Sequence, residues 1–292
     1  METRELHKPR LNVIGCGRVG QTLSRLWHLR ESFAIQDVLT TSQDSARTAC
    51  EWIGAGRPVA QLEDMRDAGV WMLAVPDAQL TGCARALASA IAPRNTSTPS
   101  VAFHCSGALA AAELAPLATL GWHVASVHCI LSFASAPLAL QQFGGTACAL
   151  EGDTQAVALL GSSFAAIGAQ CFAVAGQNKL LYHAAAVFAT NFLPVLQATA
   201  EDLWRATGVP AELVPALRSS LLRNAVDNIT AKGPQAALTG PAARGDMVAI
   251  ARQASAVRAW NNSTGLAYEA LSELALQLAQ RGGLDTVGKA VR

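Results

Sequence analysis

The feature that most constrains this chain is a glycine-rich turn near its amino end. The segment Gly15-Cys16-Gly17-Arg18-Val19-Gly20 follows the apolar run 11–14 and precedes a helical pattern that starts at Gln21. In this spacing the first glycine allows a tight turn, the second lets a pyrophosphate approach the backbone, and the third lets the helix pack closely on the sheet. The helix N-terminus adds free N–H groups and partial positive charge. We therefore predict a dinucleotide site at Gly15, Cys16, Gly17, Arg18, Val19 and Gly20; a purely structural turn is the alternative.

Apolar runs typical of buried strands alternate with helical patterns as far as residue 167. The runs lie at 33–40, 70–75, 101–105, 122–127 and 147–150. This alternation is typical of an α/β fold with a doubly wound parallel sheet, in which ligands bind beyond the carboxyl ends of the strands. From residue 177 long apolar helical stretches follow without a further strand pattern. We predict an NAD(P)-binding Rossmann domain over 1–175 and an all-α helical bundle domain, for substrate binding and dimerisation, over 176–292.

Composition narrows the classes of partner. Hydrophobic residues make up 51% of the 292 residues and charged residues 15%, which favours apolar surface buried between domains or subunits and so a homodimer. A formal net charge of +1 offers no electrostatic support for nucleic acid or an anionic membrane as a partner. Met1 to Arg10 lacks the apolar segment of a signal peptide, and charges, histidines and prolines interrupt the Ala/Leu-rich stretches. We expect a cytoplasmic protein without a membrane span.

The seven cysteines are scattered without Cys-x-x-Cys spacing and lie mostly in apolar runs. That distribution favours reduced, buried thiols over disulfides. No grouping of His, Cys, Asp and Glu has the spacing of metal ligands, so we expect no metal site.

The end of the second predicted strand bears on the choice of cofactor. A site for NAD usually has Asp or Glu there to bond the ribose 2′-hydroxyl. This chain has Thr40-Thr41-Ser42, with Arg18 in the turn and Arg47 just beyond. Hydroxyls and an arginine around a 2′-phosphate favour NADP, whereas NAD stays open if Thr41 and Ser42 only cap the next helix. Val75 and Pro76, which follow the next buried strand, are expected to complete the cofactor site.

Two residues of the first helix after the Rossmann domain are candidates for proton transfer. Lys179 and His183 are four residues apart, which places them on one helical face. A lysine beside a histidine in a poorly hydrated cleft can donate a proton to a carbonyl oxygen or an imine. The alternative is that Lys179 solvates the start of the helix and His183 is a hydrogen-bonded core histidine.

Polar residues at two strand ends are further candidates. Ser106 can orient the reacting group of a substrate, or it can cap the following turn. No Gly-x-Ser-x-Gly elbow surrounds it, which disfavours acyl transfer. His128, at the end of the next strand, is a candidate substrate ligand. His104 lies inside a strand, where we expect a buried and hydrogen-bonded side chain.

The polar segment 237–246 joins two long helical stretches. Arg244 is suited to a bidentate clamp on a substrate carboxylate or phosphate, and Thr239 is a second candidate substrate ligand in the same loop. Asp246 is positioned to cap the following helix. An Arg244–Asp246 ion pair that only stabilises the loop is the alternative.

Five motifs together carry a family resemblance. They are Gly-Cys-Gly-Arg-Val-Gly at 15–20, Val-Pro-Asp at 75–77, His-Cys-Ser-Gly at 104–107, Tyr-His-Ala-Ala at 182–185 and Ala-Leu-Thr-Gly-Pro-Ala-Ala-Arg-Gly-Asp at 237–246. In this order they resemble a bacterial family with a Rossmann-like N-terminal domain and a helical domain of unknown function. That family is similar in architecture to the 6-phosphogluconate dehydrogenase-like superfamily, which includes pyrroline-5-carboxylate reductases, ketopantoate reductases and β-hydroxyacid dehydrogenases. The resemblance implies NAD(P) as cofactor and a dimer formed through the helical domain.

The chain departs from these relatives at two places. β-Hydroxyacid dehydrogenases have an asparagine four residues after their lysine, where this chain has His183 after Lys179. The nearest family usually has His-Pro-Leu where this chain has His128-Cys129-Ile130, which removes a restraint on the backbone.

The sequence thus predicts an NAD(P)-dependent oxidoreductase that acts on a small carbonyl, imine or hydroxy compound in a cleft between the domains. In this hypothesis Lys179 or His183 moves the proton, Ser106 orients the reacting group and Arg244 holds an anionic end. The first rival is a nucleotide-binding regulatory or sensor protein without catalysis. The second is a structural dimer with a vestigial site, because fold alone does not decide function.

Overall fold

A computed structural model describes residues 8–91 and 99–289, with side chains as far as residue 281. Most of the polar segment Met1 to Arg10 therefore lies outside the described residues. The chain divides into two compact units, Met1–Phe188 and Ala189–Arg292. The division falls beyond the domain boundary expected at 175–176, because the first helix after the sheet is bonded to the strands. We call these the N-terminal unit and the C-terminal unit.

The N-terminal unit contains the strands and the helices that connect them. The strands are β1 (Arg10–Ile14), β2 (Ala34–Leu39), β3 (Arg57–Val59), β4 (Val70–Leu73), β5 (Val101–His104), β6 (His123–Cys129), β7 (Ala147–Gly152) and β8 (Gln170–Ala173). The helices are α1 (Arg18–Leu29), α2 (Gln43–Ile53), α3 (Asp77–Ile91), α4 (Ala115–Ala118), α5 (Ala136–Gln142), α6 (Thr154–Ala166) and α7 (Lys179–Ala186).

The described strands form one sheet in the order β3-β2-β1-β4-β5-β6-β7-β8. The first six follow the doubly wound order 3-2-1-4-5-6, so the strand order reverses between β1 and β4 and leaves a crevice there. All neighbours are parallel except β6 and β7, which are antiparallel. The predicted α/β Rossmann fold is confirmed.

Each face of the sheet carries its own apolar core, because side chains alternate along a strand. In β1, Leu11 and Val13 belong to one core cluster, whereas Ile14 belongs to the other. Trp27 of α1 is buried in the first cluster and meets the edge of Phe103, with ring centroids 6.2 Å apart. Cover on both faces leaves the strand ends as the places where polar groups reach a ligand.

The C-terminal unit is helical in its described part, as the sequence predicts. A π-helical turn, Val187–Asn191, leads into α8 (Phe192–Ala206). The later helices are α9 (Val214–Ala237), α10 (Pro241–Arg244), α11 (Met247–Trp260) and α12 (Asn262–Lys289). Gly233, at a φ of 76°, kinks α9 just before Pro234. The stretch 246–281, expected to be continuous, is broken at Asn261, which caps the end of α11.

Three elements of the N-terminal unit differ from the sequence-based expectation. The segment 54–58, expected to be a turn, supplies the start of β3, and β8 and α5 were not expected at all. These elements are only three, four and seven residues long, too short for a clear hydrophobic period. The expected parallel sheet also has one antiparallel pair, because strand direction leaves no mark on composition.

One helical stretch, 176–206, is long and apolar enough by length and composition to cross a membrane. Its mean hydropathy is 1.3, and none of its most apolar 18-residue window is buried. The expectation that no stretch is long and apolar enough to span a bilayer is therefore wrong for this stretch. The expectation of a cytoplasmic protein stays a prediction.

Candidate active site

The glycine turn lies between β1 and α1, and its three glycines have different surroundings. Gly15 has a φ of +79°, and a Cβ there would lie 2.7 Å from the carbonyl oxygen of Ala74. A Cβ on Gly20 would lie 2.7 Å from the carbonyl oxygen of Gly15, so both positions require glycine. A Cβ on Gly17 would meet nothing within 4 Å. Gly17 caps α1 without a side-chain hydrogen bond, so open space borders free helix N–H groups, which suits a pyrophosphate.

A cavity of about 890 Å³ lies along this turn at the crevice between β1 and β4. Nine residues predicted to bind the cofactor line it: Gly15, Cys16, Gly17, Arg18, Val19, Thr40, Thr41, Val75 and Pro76. Gly20 and Ser42, also predicted, do not line it. Burial, together with the neighbouring Cys50, raises the pKa of the Cys16 thiol to about 12, so no thiolate opposes an anionic ligand there. The lining fits a dinucleotide.

The end of β2 carries hydroxyl groups where an acid would mark an NAD site. Thr40 donates its hydroxyl to the carbonyl oxygen of Ser42 at 2.8 Å. Ser42 accepts a hydrogen bond from the backbone N–H of Ser45 at 3.2 Å and so caps α2, as one of the two interpretations predicted. Arg47 pairs with Asp44 at 3.2 Å on the exposed surface. Arg18 and Thr41 remain in the cavity lining as candidate ligands of a 2′-phosphate.

Lys179, in the first turn of α7, is 1% exposed, so the alternative that it only solvates the helix start is wrong. Its ammonium donates to the carbonyl oxygen of Ser106 at 2.8 Å and to Ser126 Oγ at 2.5 Å. Ser126 in turn donates to Glu151 Oε1 at 2.8 Å. Burial lowers the pKa of Lys179, while the carboxylates of Glu151 and Asp77 act in the opposite direction.

Ser106 follows β5, and its hydroxyl is engaged within the protein. It donates to Asp77 Oδ2 at 2.8 Å and accepts the backbone N–H groups of Ala108 and Leu109 at 3.2 and 3.0 Å. Capping of the following turn is one of the two roles that the sequence predicted for Ser106; the other is orientation of a substrate. Asp77 immediately follows Pro76, which lines the cofactor cavity. The hydrogen bond from Ser106 to Asp77 therefore connects the capped turn to the edge of that cavity.

Two histidines converge on Gly107, and a tyrosine bonds one of them. His128 Nδ1 and Tyr182 Oη are 2.9 Å apart and share a hydrogen bond, and the rings of His128 and His183 meet edge to face with centroids 5.5 Å apart. A Cβ on Gly107 would lie 2.4 Å from His183 Nδ1 and 2.8 Å from His128 Nε2. Glycine is therefore what allows both imidazoles to reach this turn.

One of the two nitrogens that lie against Gly107 has no hydrogen-bond partner in the protein. His183 Nδ1 is buried without a hydrogen-bond partner, so the alternative of a satisfied core histidine is wrong. Burial lowers the pKa of His128 to about 4, and the neighbouring His183 and Lys179 add to this effect. The His128 ring is therefore neutral at pH 7, and it can donate or accept one hydrogen bond at Nε2.

His104 differs from these two histidines. It is buried, its Nε2 lies 3.0 Å from the carbonyl oxygen of Ala110, and its Nδ1 accepts the N–H of Ser106 at 3.2 Å. These contacts assign the proton to Nε2, and burial lowers the pKa of the ring to about 4. The predicted structural role of His104 is confirmed.

The candidate substrate ligands Thr239 and Arg244 lie in the C-terminal unit. Arg244 ends α10, between Gly240 and Gly245, whose φ angles are 89° and 69°. Asp246 caps α11 by accepting the N–H of Ala249 at 3.0 Å. Within the described residues no ion pair joins Arg244 to Asp246, so that alternative is wrong, and the Arg244 side chain is exposed.

The sequence did not single out the partners that organise this site. Asp77, Gly107 and Tyr182 were quoted only within motifs, and Ser126 and Glu151 were not noted at all. Four of these residues contact a candidate, and Glu151 is bonded to Ser126. A serine inside the otherwise apolar run of β6 is the signal that could have found Ser126. Across the residues that the structure describes, no group of three or more His, Cys, Asp or Glu is arranged to hold a metal ion. All seven cysteines carry free thiols.

Two family models match successive parts of the chain. A Rossmann-like domain matches residues 1–129, and a domain of unknown function, DUF2520, matches residues 146–275. The chain joins a Rossmann-like domain to a DUF2520 domain. This is the domain architecture that the five motifs resemble, so the predicted combination of a Rossmann-like domain with a helical domain of unknown function is confirmed.

Solved structures share this fold over most of the chain. A protein from Thermotoga maritima has a TM-score of 0.71 at 24% identity, covering 93% of this chain and 99% of its own. A candidate NADP oxidoreductase from Bacteroides fragilis has a TM-score of 0.68 at 18% identity, covering 92% and 98%. An imine reductase from Myxococcus stipitatus, in complex with NAD+, has a TM-score of 0.60 at 16% identity, covering 92% and 94%. No curated protein matches the sequence.

Proposed function

We propose that this DUF2520 protein is an NAD(P)-dependent oxidoreductase that acts on a small carbonyl, imine or hydroxy compound. The observation that carries the proposal is the buried His183 Nδ1, which has no hydrogen-bond partner and which, like His128 Nε2, lies against Gly107. Both nitrogens lie next to a turn that is bonded through Ser106 and Asp77 to the edge of the cofactor cavity. Purely structural histidines in the same unit, such as His104, have their nitrogens paired.

Different residues of the chain would bind the cofactor and the substrate. The glycine turn and the start of α1 would bind the pyrophosphate, and a bound nicotinamide would supply or accept the hydride. His183 and His128 would hold the reacting oxygen or nitrogen by hydrogen bonds. His183 would move the proton, because its Nδ1 is free, whereas the Lys179 ammonium already has two protein acceptors.

We propose NADP as the preferred cofactor, because the end of β2 offers hydroxyls and Arg18 lines the cavity. A fluorescence titration should give a Kd for NADPH about 10-fold below that for NADH. In Thr41→Asp the new carboxylate should repel a 2′-phosphate and bond a ribose hydroxyl, which reverses the order. Thr119→Asp, at an exposed threonine in the N-terminal unit, is the control. Equal affinities in the wild type would overturn the preference.

Turnover separates an enzyme from a sensor. With NADPH and a panel of small aldehydes, ketones and cyclic imines, the wild type should oxidise the cofactor, and His183→Phe should lose turnover while keeping cofactor affinity. Tight NADPH binding without turnover on any member would leave the nucleotide-binding sensor as the better description. No nucleotide binding at all would favour a structural dimer with a vestigial site.

We further propose that Thr239 and Arg244 hold an anionic end of the substrate and that the chain forms a homodimer through its C-terminal unit. Large apolar side chains on and next to its helices are exposed: Val195, Leu213, Leu221, Val248 and Leu266 are half-exposed or more. Apolar surface on this scale favours a second copy as its cover. Light scattering should give twice the mass of one chain, and Val248→Glu should shift the protein toward monomer.

A further inference from the structure

Lys179 links three elements of the N-terminal unit. It belongs to α7, its ammonium donates to the carbonyl oxygen of Ser106 in the turn after β5, and it also donates to Ser126 within β6. A buried ammonium is stable only if its protons are accepted and a counter-charge is near. Both conditions are met here, because the chain of hydrogen bonds continues to the Glu151 carboxylate.

The strand register builds this chain. His104, Ser126 and Glu151 are directly paired across β5, β6 and β7, which places their side chains in one row. The Ser126 hydroxyl accepts a hydrogen bond from Lys179 and donates its single proton to Glu151 Oε1, so the hydrogen bonds run in one direction from Lys179 to Glu151. The same Glu151 oxygen accepts the backbone N–H of Ala111, beyond the capped turn.

Gly107 and the two histidines that meet there belong to the same three elements that Lys179 connects: the turn after β5, strand β6 and helix α7. Gly107 directly follows Ser106, His128 lies two residues after Ser126, and His183 lies one helical turn after Lys179. Displacement of the ammonium would therefore move all three parts of the site relative to one another. An error of about 1 Å in such geometry can reduce a rate by about 100-fold.

We propose that Lys179, Ser126 and Glu151 form a positioning chain that sets His128 and His183 against Gly107, and that Lys179 is not the proton donor. The inference rests on the proposed oxidoreductase function for its effect on turnover. It assigns roles to Ser126 and Glu151, which neither line the cofactor cavity nor bond the unpartnered His183 Nδ1.

Kinetics test the positioning role. Lys179→Met keeps the length of the side chain but removes its donors, and Ser126→Ala removes the middle of the chain. Each should lower kcat by about 100-fold, with the Kd for NADPH unchanged and the pH dependence of the remaining activity retained. The double variant should be no worse than either single one, because both break the same chain. Glu151→Gln keeps an acceptor oxygen but removes the counter-charge of the ammonium, so its kcat should lie between those of the wild type and Ser126→Ala.

Amide hydrogen exchange tests the same chain without any turnover. The N–H groups of Ala108 and Leu109 are held by Ser106 Oγ, so they report on the turn directly. Their exchange should be at least about 10-fold faster in Lys179→Met and Ser126→Ala than in the wild type. Lys232→Met and Ser163→Ala remove hydrogen bonds elsewhere, to Asn228 and to the carbonyl oxygen of Leu159, and should change neither exchange at this turn nor kcat.

The outcomes separate the two proposals. If the wild type turns over no substrate but the exchange effect is present, the oxidoreductase function fails and the structural chain stands. If Ser126→Ala leaves both exchange and kcat at wild-type values, the positioning chain is wrong. If Lys179→Met alone loses activity together with one limb of the pH profile, Lys179 is itself the proton donor and the inference is overturned.

Discussion

Two buried polar clusters of the N-terminal unit differ in how completely they are paired. In the first, Asp37 of β2 is fully buried and accepts hydrogen bonds from Arg57 Nε at 2.9 Å and from Arg66 Nη2 at 2.7 Å. The backbone N–H of Arg66 donates to the same carboxylate at 2.7 Å. The second cluster surrounds Gly107, where His183 Nδ1 is buried without a partner.

The difference separates structure from candidate function. The Asp37 carboxylate is bonded by Arg57 and Arg66, and it so connects β2 to β3 and to the segment before β4. These bonds occupy its oxygens, so none is available to a ligand. A buried nitrogen without a partner is costly in a folded protein, unless a ligand completes it. Asp37 is also the only acid in β2, yet its pairing holds it within the strand and away from the end at Leu39.

The largest expected effect is on the unpaired cluster. His183→Phe keeps a flat ring against Gly107 but removes both nitrogens, so kcat should fall by about 1,000-fold with the Kd for NADPH unchanged. His28→Phe, at the end of α1, is the matched control and should behave like the wild type. Wild-type turnover in His183→Phe would mean that the unpaired nitrogen is a packing defect, and the contrast between the clusters would lose its functional meaning.

Gly107→Ala tests the same contrast by steric means. The added Cβ would lie 2.4 Å from His183 Nδ1, so at least one imidazole must move, and kcat should fall by about 100-fold. Gly82→Ala in α3 adds a methyl group with nothing within 4 Å and should raise helix stability slightly without affecting turnover. Equal activity of the two variants would show that the position of the imidazoles is unimportant.

The sequence predicted the parts of the site that depend on local pattern. The glycine spacing located the phosphate turn, the ends of apolar runs located Ser106 and His128, and a spacing of four residues put Lys179 and His183 on one face. Each of these follows from the period of a single element. Their positions in the structure agree, although their catalytic roles stay predictions.

What the sequence did not predict depends on how separate elements pair. Glu151 lies opposite Ser126 only because β7 runs antiparallel to β6, and no composition bias marks that direction. Asp77 and Ser106 are 29 residues apart in sequence. They meet because they follow β4 and β5, which are neighbours in the sheet. Strand β3 contains Pro58 and only three residues, so neither length nor alternation could reveal it.

The paired cluster should respond in stability, not in turnover. Asp37→Asn removes the charge that two arginines share and should lower the free energy of unfolding by about 2–3 kcal/mol in urea titrations. Asp44→Asn, whose carboxylate pairs with Arg47 on the exposed surface, should change it by less than about 0.5 kcal/mol. A large loss of kcat in folded Asp37→Asn protein would contradict the assignment of this cluster to structure alone.

The smallest expected effect separates the two clusters by pH. Hydrogen bonds from Arg66 and Arg57 outweigh burial and lower the pKa of Asp37 to about 2, from an ordinary 3.8. The unfolded carboxyl therefore binds a proton first as the pH falls, so Asp37 stabilises the fold above about pH 4 and loses that contribution towards pH 2. Between pH 4 and pH 2 the difference in the free energy of unfolding between wild type and Asp37→Asn should shrink by about 1–2 kcal/mol.

Two buried histidines, His128 of the other cluster and His104, which bonds the turn before Gly107, act in a different pH window. Burial lowers the pKa of both His128 and His104 from 6.5 to about 4, so the unfolded state takes up protons first between these values. The free energy of unfolding should fall from pH 6.5 towards pH 4 equally in wild type and Asp37→Asn, because neither ring contacts Asp37. A difference between the two proteins that already shrinks above pH 5 would mean that the clusters are coupled, and that pairing does not divide them into a structural and a functional one.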